Sequence, residues 1–312
     1  MERRTKIIQY LVAMVAALAS FIGGLVSAPA AAAPAGPNAT GTGPGPAGGS
    51  GAGTSAGPAT GSSDPRERGT EAAAEVFQGQ AFDTCYTPSL GAMNAWRKSH
   101  YRAVGVYFGG RGRACKRQPN LNRSWVLSVH RAGWNVLPIY VGSQSPCVHN
   151  DNKKQVPIGA QPWDQGTAEA RDAVQRAAAL GMAERSPLYL DMEAYDQRDT
   201  ECARTTLSFV RAWSREVRRN GYLPGFYSSA GSGVTHMERA RRDGVKDLPE
   251  VMWFARWGVE PSVDHEPALD DSAWQPHRRI HQYAGNVTER HGGVPMQIDR
   301  NLVDAPVAVV AA

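Results

Sequence analysis

Asp191 and Glu193 stand one residue apart in the run Ser186-Pro-Leu-Tyr-Leu-Asp-Met-Glu-Ala-Tyr195. Side chains alternate along a strand, so Leu188, Leu190 and Met192 share one face and Tyr189, Asp191 and Glu193 share the other. Acids at that spacing lie roughly 6.5 Å apart along the strand, close enough to grip something between them. Carboxylates at the end of a buried strand must be paired, protonated or used. The chemistry such a pair offers is general acid and base catalysis. The plain alternative is two solvated acids at a strand end.

The elements around this strand decide between the two. Strand-like and helix-like runs alternate from about Val76 onward. Strands are expected at 80–85, 101–110, 135–142, 186–195, 223–229, 251–257, 279–285 and 296–302, and helices at 89–100, 120–133, 167–180, 205–220 and 234–242. Strict alternation argues for a parallel sheet, and eight strands fit an α/β fold of the (β/α)8 TIM-like barrel type. Helical pattern is poor after the sixth and seventh strands, so the outer helices there are expected to be reduced or missing. An open dinucleotide-binding sheet has little support, because no Gly-rich phosphate loop follows the first strand.

The functional face of a parallel barrel lies at the carboxyl ends of its strands. There the strands deliver Asp83, Tyr107, Tyr140, Asp191, Glu193, Tyr195, Tyr227, Trp253, Trp257, Gln282 and Asp299. The predicted site is thus an acidic centre, Asp83, Asp191, Glu193 and Asp299, ringed by aromatic residues and Gln282 as substrate contacts. Sugar rings pack on Trp and Tyr, while carboxylates bond hydroxyls and move protons. Crowding four acids in one cavity should raise at least one pKa, which makes a general acid usable near neutral pH. For Trp253 and Trp257 the alternative is core packing. For Asp83 and Asp299 it is an ion pair with Arg256 or Arg300. Hard oxygen ligands could also hold Mg²⁺ or Ca²⁺, but no His accompanies the acids, and neither a metal nor a cofactor is expected. Ser228-Ser229 lacks the Gly-x-Ser-x-Gly elbow of a serine hydrolase.

Of the 312 residues, 42% are hydrophobic and 20% charged, with a formal charge of +5, which describes an ordinary globular protein. No Lys/Arg run with interleaved aromatics suggests nucleic acid. Arg3, Arg4 and Lys6, the apolar run Ile7 to Val26 and the small residues after it read as a secretory signal over 1–33. Either Sec or twin-arginine export fits, and no stable membrane insertion is expected after cleavage. Residues 34–75, rich in Gly, Pro, Ala, Ser and Thr, read as a disordered linker. The barrel domain is expected over 76–307, as a monomer. Cys85, Cys115, Cys147 and Cys202 suggest two disulfides in an exported chain, with three pairings open.

The set Phe82-Asp83-Thr-Cys85, Tyr107-Phe-Gly-Gly110, Pro138-Ile-Tyr-Val-Gly142, Tyr189-Leu-Asp-Met-Glu193, Phe226-Tyr227 and Gln297-Ile-Asp299 resembles a family of secreted bacterial proteins. Its domain is called glycoside-hydrolase-like, and the likeness covers about Phe77 to Val303. That family is in turn similar to glycoside hydrolase family 25, lysozymes that cut peptidoglycan between N-acetylmuramic acid and N-acetylglucosamine. Those enzymes place an Asp on the first strand, an Asp-x-Glu on the fourth and an Asp on the last, in a barrel lacking late helices. The resemblance implies that Glu193 is the general acid. Asp191 would stabilise an N-acetyl group acting as internal nucleophile, and Asp83 and Asp299 would bind and polarise, in substrate-assisted retaining hydrolysis. The cysteine-bearing loops follow the first family and not the lysozymes, so the sugar does not carry over. The reading is a secreted or wall-associated protein acting on a cell-envelope polysaccharide, peptidoglycan being one candidate. Its competitors are a non-catalytic carbohydrate- or wall-binding protein that keeps the acidic pocket and, third, a metal-dependent hydrolase.

Overall fold

Strands apolar on both faces need side chains inside the sheet and helices outside it. A computed structural model describes residues 74–311 of this chain. The expected export signal, and the linker up to residue 73, lie outside the described residues. In order, the elements are β1 (Val76–Asp83), α1 (Leu90–Trp96), β2 (Ala103–Gly109), α2 (Arg123–Arg131), β3 (Asn135–Tyr140), α3 (Pro162–Ala179) and β4 (Pro187–Asp191). There follow α4 (Thr200–Arg219), β5 (Leu223–Ser229), a π-helical turn (Ala230–Val234), α5 (Thr235–Arg242), β6 (Val251–Ala255), β7 (Arg279–His291) and β8 (Val294–Pro306). The eight strands close into a barrel in sequence order. The expected eight-stranded α/β barrel is therefore the observed fold.

The alternation predicted for β4 sorts its residues into two cores. Leu188, Leu190 and Met192 join the outer layer, with Phe209, Val210 and Trp213 of α4. Tyr189 points inward among Leu137, Ile139, Trp253, Ile280 and Val303. The barrel is thus filled with side chains and is no pore. At its lower end the Tyr189 hydroxyl donates to the carbonyl of Pro306, the last residue of β8, at 2.8 Å. Folded chain continues past the expected limit of 307, with the Ala308 and Ala311 amides bonded to the carbonyls of Val136 and Gly181.

Caps set the helix starts. The side chains of Ser89, Asn122 and Asp199 accept from the amides of Ala92, Trp125 and Cys202. The Asp199 cap starts α4 five residues before the expected Thr205, and Pro162 at its first turn starts α3 five before Thr167. The opening turn of α4 is largely polar and that of α3, Pro162-Trp-Asp-Gln165, starts on a proline, so neither shows an apolar period. Conversely, α1 ends at Trp96 instead of His100, and β6 ends at Ala255, which leaves Trp257 outside the strand.

In the last third, as expected, no helix joins β6 to β7. The connection instead wraps the fully buried guanidinium of Arg279, which donates to the carbonyls of Val263, Asp264, Asp270, Asp271 and Ala273. Strands β7 and β8 are longer than expected and form an antiparallel hairpin, and β8 also pairs antiparallel with β1. The expected all-parallel sheet is thus parallel only from β1 to β7. The hairpin rises beyond the barrel, turns at Gly292-Gly293 and leans on α1, where the Trp96 indole donates to the Val294 carbonyl at 2.9 Å.

Candidate active site

Asp83 is the last residue of β1 and is buried. Its Cα partner on β2 is Gly105, where any Cβ would lie 2.5 Å from the Asp83 Cβ, so only glycine leaves the carboxylate its place. Three neutral donors hold the carboxylate: the Tyr107 hydroxyl (2.7 Å), Asn301 Nδ2 (2.9 Å) and Gln282 Nε2 (3.2 Å). Gln282 Oε1 accepts from the Tyr227 hydroxyl and the Trp257 indole, and Asn301 Oδ1 from the Trp253 indole. Residues of five other strands, β2, β5, β6, β7 and β8, thus orient one acid. Burial pushes its carboxyl up, against the lowering effect of those three donors.

Asp191 closes β4 and is 5% exposed. Its Oδ1 is buried without a hydrogen-bond partner among the described residues. Burial, then repulsion from Glu193 and Asp83, lifts this carboxyl to about 7, against the pull of Lys153. Glu193 lies beyond the strand end, so its position is set by a loop. Gln144 bridges the turn, donating from Nε2 to the Asp191 carbonyl (2.8 Å) and accepting the Glu193 amide on Oε1 (2.9 Å). The Glu193 side chain is 33% exposed, with Lys153 Nζ 3.6 Å from its Oε1.

Asp299 faces Asp83 across the β1–β8 pair. Because β8 runs antiparallel, Asp299 sits in mid-strand and not at the carboxyl end expected for it. A register break in β7 between Gln282 and Val287 turns Asn286 into a left-handed conformation (φ 57°), and its amide donates to Asp299 Oδ1 at 2.6 Å. Burial and the nearby Asp83 raise Asp299 to about 7, against that bond.

These four acids line one cavity of about 260 Å³, together with Tyr107, Arg113, Asn150, Lys153, Asn286 and Gln297. The arginines that could have neutralised them are engaged elsewhere, Arg256 with Glu266 and Arg300 with Glu289. Among the described residues, no three His, Cys, Asp or Glu side chains meet in a geometry that would hold a metal ion.

The expected aromatic ring is mostly dispersed. Tyr107 lines the cavity; Tyr227, Trp253 and Gln282 lie below it around a void near the size of one water. Trp253 is 1% exposed, so it supports the floor instead of forming a wall. Tyr140 points outward and donates to Asp172 of α3 at 2.9 Å. Tyr195 is buried against His236, its hydroxyl 2.8 Å from Nδ1. Neither reaches the cavity. Trp257 is 42% exposed, and Tyr86, which the sequence reading passed over, is 61% exposed beside the cavity-lining Cys85.

The disulfides are Cys85–Cys115 and Cys147–Cys202. The first lies in the cavity rim; the second ties the loop after β3 to α4. Lys153, Asn286 and Arg113 are site residues that no strand-end pattern in the sequence marks, whereas Gln144 follows the end of the third expected strand. The polar run Asn150-Asp-Asn-Lys153 marks a loop but not its depth, although Lys153 is only 8% exposed.

A closed eight-stranded barrel, carboxylates at one end and helices missing late in the chain, defines a glycoside-hydrolase-like domain. The chain belongs to the Rv2525c-like, glycoside hydrolase-like domain family, whose match spans residues 94–303. In fold it is similar to the Tat-secreted protein Rv2525c of Mycobacterium tuberculosis, solved with L-tartrate, at a TM-score of 0.51 and 18% identity. That match covers 74% of this chain and 99% of Rv2525c. The modular autolysin LytC of Streptococcus pneumoniae aligns at a TM-score of 0.45 and 12% identity, over 72% of this chain and 46% of LytC. No functionally curated protein matches the sequence.

Proposed function

We propose that this domain hydrolyses an N-acetylated polysaccharide of the bacterial cell envelope, such as peptidoglycan, with Glu193 as general acid. The observation that carries the reading is the division of labour among four carboxyls in one cavity. Asp83 and Asp191 are buried and Asp299 is half-buried, and all three are pushed toward the protonated form, while Glu193 stands at the mouth where a glycosidic oxygen can reach it. Glu193 gives its proton to the leaving oxygen. The substrate's own N-acetyl oxygen attacks the anomeric carbon, forming a cyclic oxazolinium. The unpartnered Oδ1 of Asp191 supplies a hydrogen-bond partner for the N-acetyl amide. Glu193, now a carboxylate, takes a proton from water as it opens the ring, so configuration is retained. Asp83 and Asp299 bind and polarise the sugar.

The rest of the organisation follows the same reading. Residues 1–33 direct export, 34–75 tether the domain, and it works outside the cell as a monomer. Two disulfides support an oxidising compartment. No helix among the described residues is long and apolar enough to cross a membrane.

Two observations favour a second reading, a wall-binding protein without turnover. Lys153 gives Glu193 a resident ion partner, and few aromatic faces line the cavity. Reducing ends released from purified cell wall by wild type and Glu193→Gln separate the two. Release by wild type alone supports hydrolysis; background release by both, with wall binding kept, supports binding. Release that a chelator abolishes points to a metal-dependent hydrolase.

A further inference from the structure

Across Arg113 from the acidic cavity lies a second, more open hollow of about 400 Å³. Arg113 borders both. Four cations line the hollow, Arg111, Arg113, Lys116 and Arg176, against two carboxylates, Glu169 and Asp172. Both carboxylates are already engaged. Asp172 accepts from the Tyr140 hydroxyl (2.9 Å) and Arg176 Nε (2.7 Å). Glu169 accepts from the amide and hydroxyl of Ser143 and from Gln165.

Arg176 pairs with Asp172, but the other three cations are not satisfied in return. Arg111 donates to the Pro157 carbonyl, and Arg113 to the carbonyls of Gly110 and Tyr107. Among the described residues, no carboxylate lies within ion-pair distance of Arg111, Arg113 or Lys116. Burial and repulsion from Arg176 also weaken the hold of Arg113 on its proton.

The hollow is built, too. A Cβ at Gly110, which lines it, would fall 2.0 Å from the Val141 carbonyl oxygen, so only glycine lets the loop start pack this closely on the end of β3. The loop carrying Arg111, Arg113 and Lys116 is stapled by Cys85–Cys115 and braced by Lys153, which donates to the Gly112 carbonyl at 3.0 Å. Concave, surplus positive charge beside a pocket of acids offers an acidic polymer a place for its charge that the pocket itself would repel.

We infer that this hollow is a subsite for an anionic substituent, a carboxylate or phosphate, on the glycan whose backbone occupies the acidic cavity, with Arg113 as the bridge between them. The inference rests on the glycan reading proposed above, and it makes the preferred substrate an acidic polysaccharide.

The test is calorimetric binding by the full chain and its R111Q/K116Q variant, which leaves the loop-bracing Arg113 in place. The probes are oligogalacturonate (carboxylate), a glycerol-phosphate polymer (phosphate), neutral chitin oligosaccharides and inorganic phosphate. Removing two exposed cations should weaken one or both acidic polymers about 10-fold and reduce their sensitivity to salt, with chitin binding unchanged. Glu193→Gln should keep the acidic preference, because the hollow is separate from the proton donor. The arm that binds tighter names the anion. Equal binding of acidic polymers by wild type and R111Q/K116Q overturns the inference. Should no oligosaccharide bind wild type, the glycan reading fails. Inorganic phosphate then decides the hollow alone, supporting it if R111Q/K116Q weakens phosphate binding and overturning it if not.

Discussion

The carboxyls of Asp191 and Asp299, each at about 7, hold protons more tightly in the folded chain than at the ordinary value of 3.8. For an acid raised by folding, the folded state binds the extra proton between those two values. Its contribution to stability is therefore complete below about pH 4 and is lost as pH rises through about 7. Asp191→Asn removes a buried charge only where that charge exists. It should raise stability at pH 8 by on the order of 2 kcal/mol and bring no gain at pH 4, measured as thermal midpoints at both. A loss of stability at pH 8 would contradict the burial account. At this scale, parity on β4 was readable from the sequence because polar and apolar residues alternate there. Tyr140 was not, because β3 is apolar on both faces, and the inward pair Leu137 and Ile139 leaves Tyr140 outside. Tyr195 failed differently: β4 ends at Asp191, so parity no longer governs, and Ser232 of the π-helical turn bonds both its amide and its carbonyl.

Among the elements, the helix-free link from β6 to β7 hangs on Arg279. Arg279→Met keeps the volume but orphans the buried carbonyls it holds. It should cost roughly 3 kcal/mol, read as a lower urea midpoint, whereas a near-neutral result would show that another contact holds the link. The Cys147–Cys202 bridge closes 55 residues of chain, spanning the loop after β3, α3 and β4. Replacing both cysteines with Ser should cost about 4 kcal/mol by chain entropy, seen as a lower thermal midpoint than that of the oxidised wild type. Strands β1 to β6 and five helices were legible because apolar runs and their period survive burial. The first turn of α4 was hidden by polar residues, that of α3 by its opening Pro162, and the outer hairpin by its alternation of exposed and half-buried positions between Asn286 and Met296. Asp299 was found through the resemblance and the expected strand end, although β8 runs in the other direction.

For the molecule as a whole, the barrel closes on itself, and the chain after β8 is bonded back onto Glu75, Val136 and Gly181. A chain beginning at residue 74 should therefore show the thermal midpoint of the longer one and sediment as a monomer. A lowered midpoint would give the preceding segment a part in the fold. The central claim is that this barrel turns over a glycan at Glu193, and proton NMR of a cell-wall digest reads that directly. Wild type should release a new anomeric signal of retained configuration first, with the inverted form growing only by later mutarotation, and Glu193→Gln should release none. An inverted anomer from the outset, or equal release by the variant, would contradict the account.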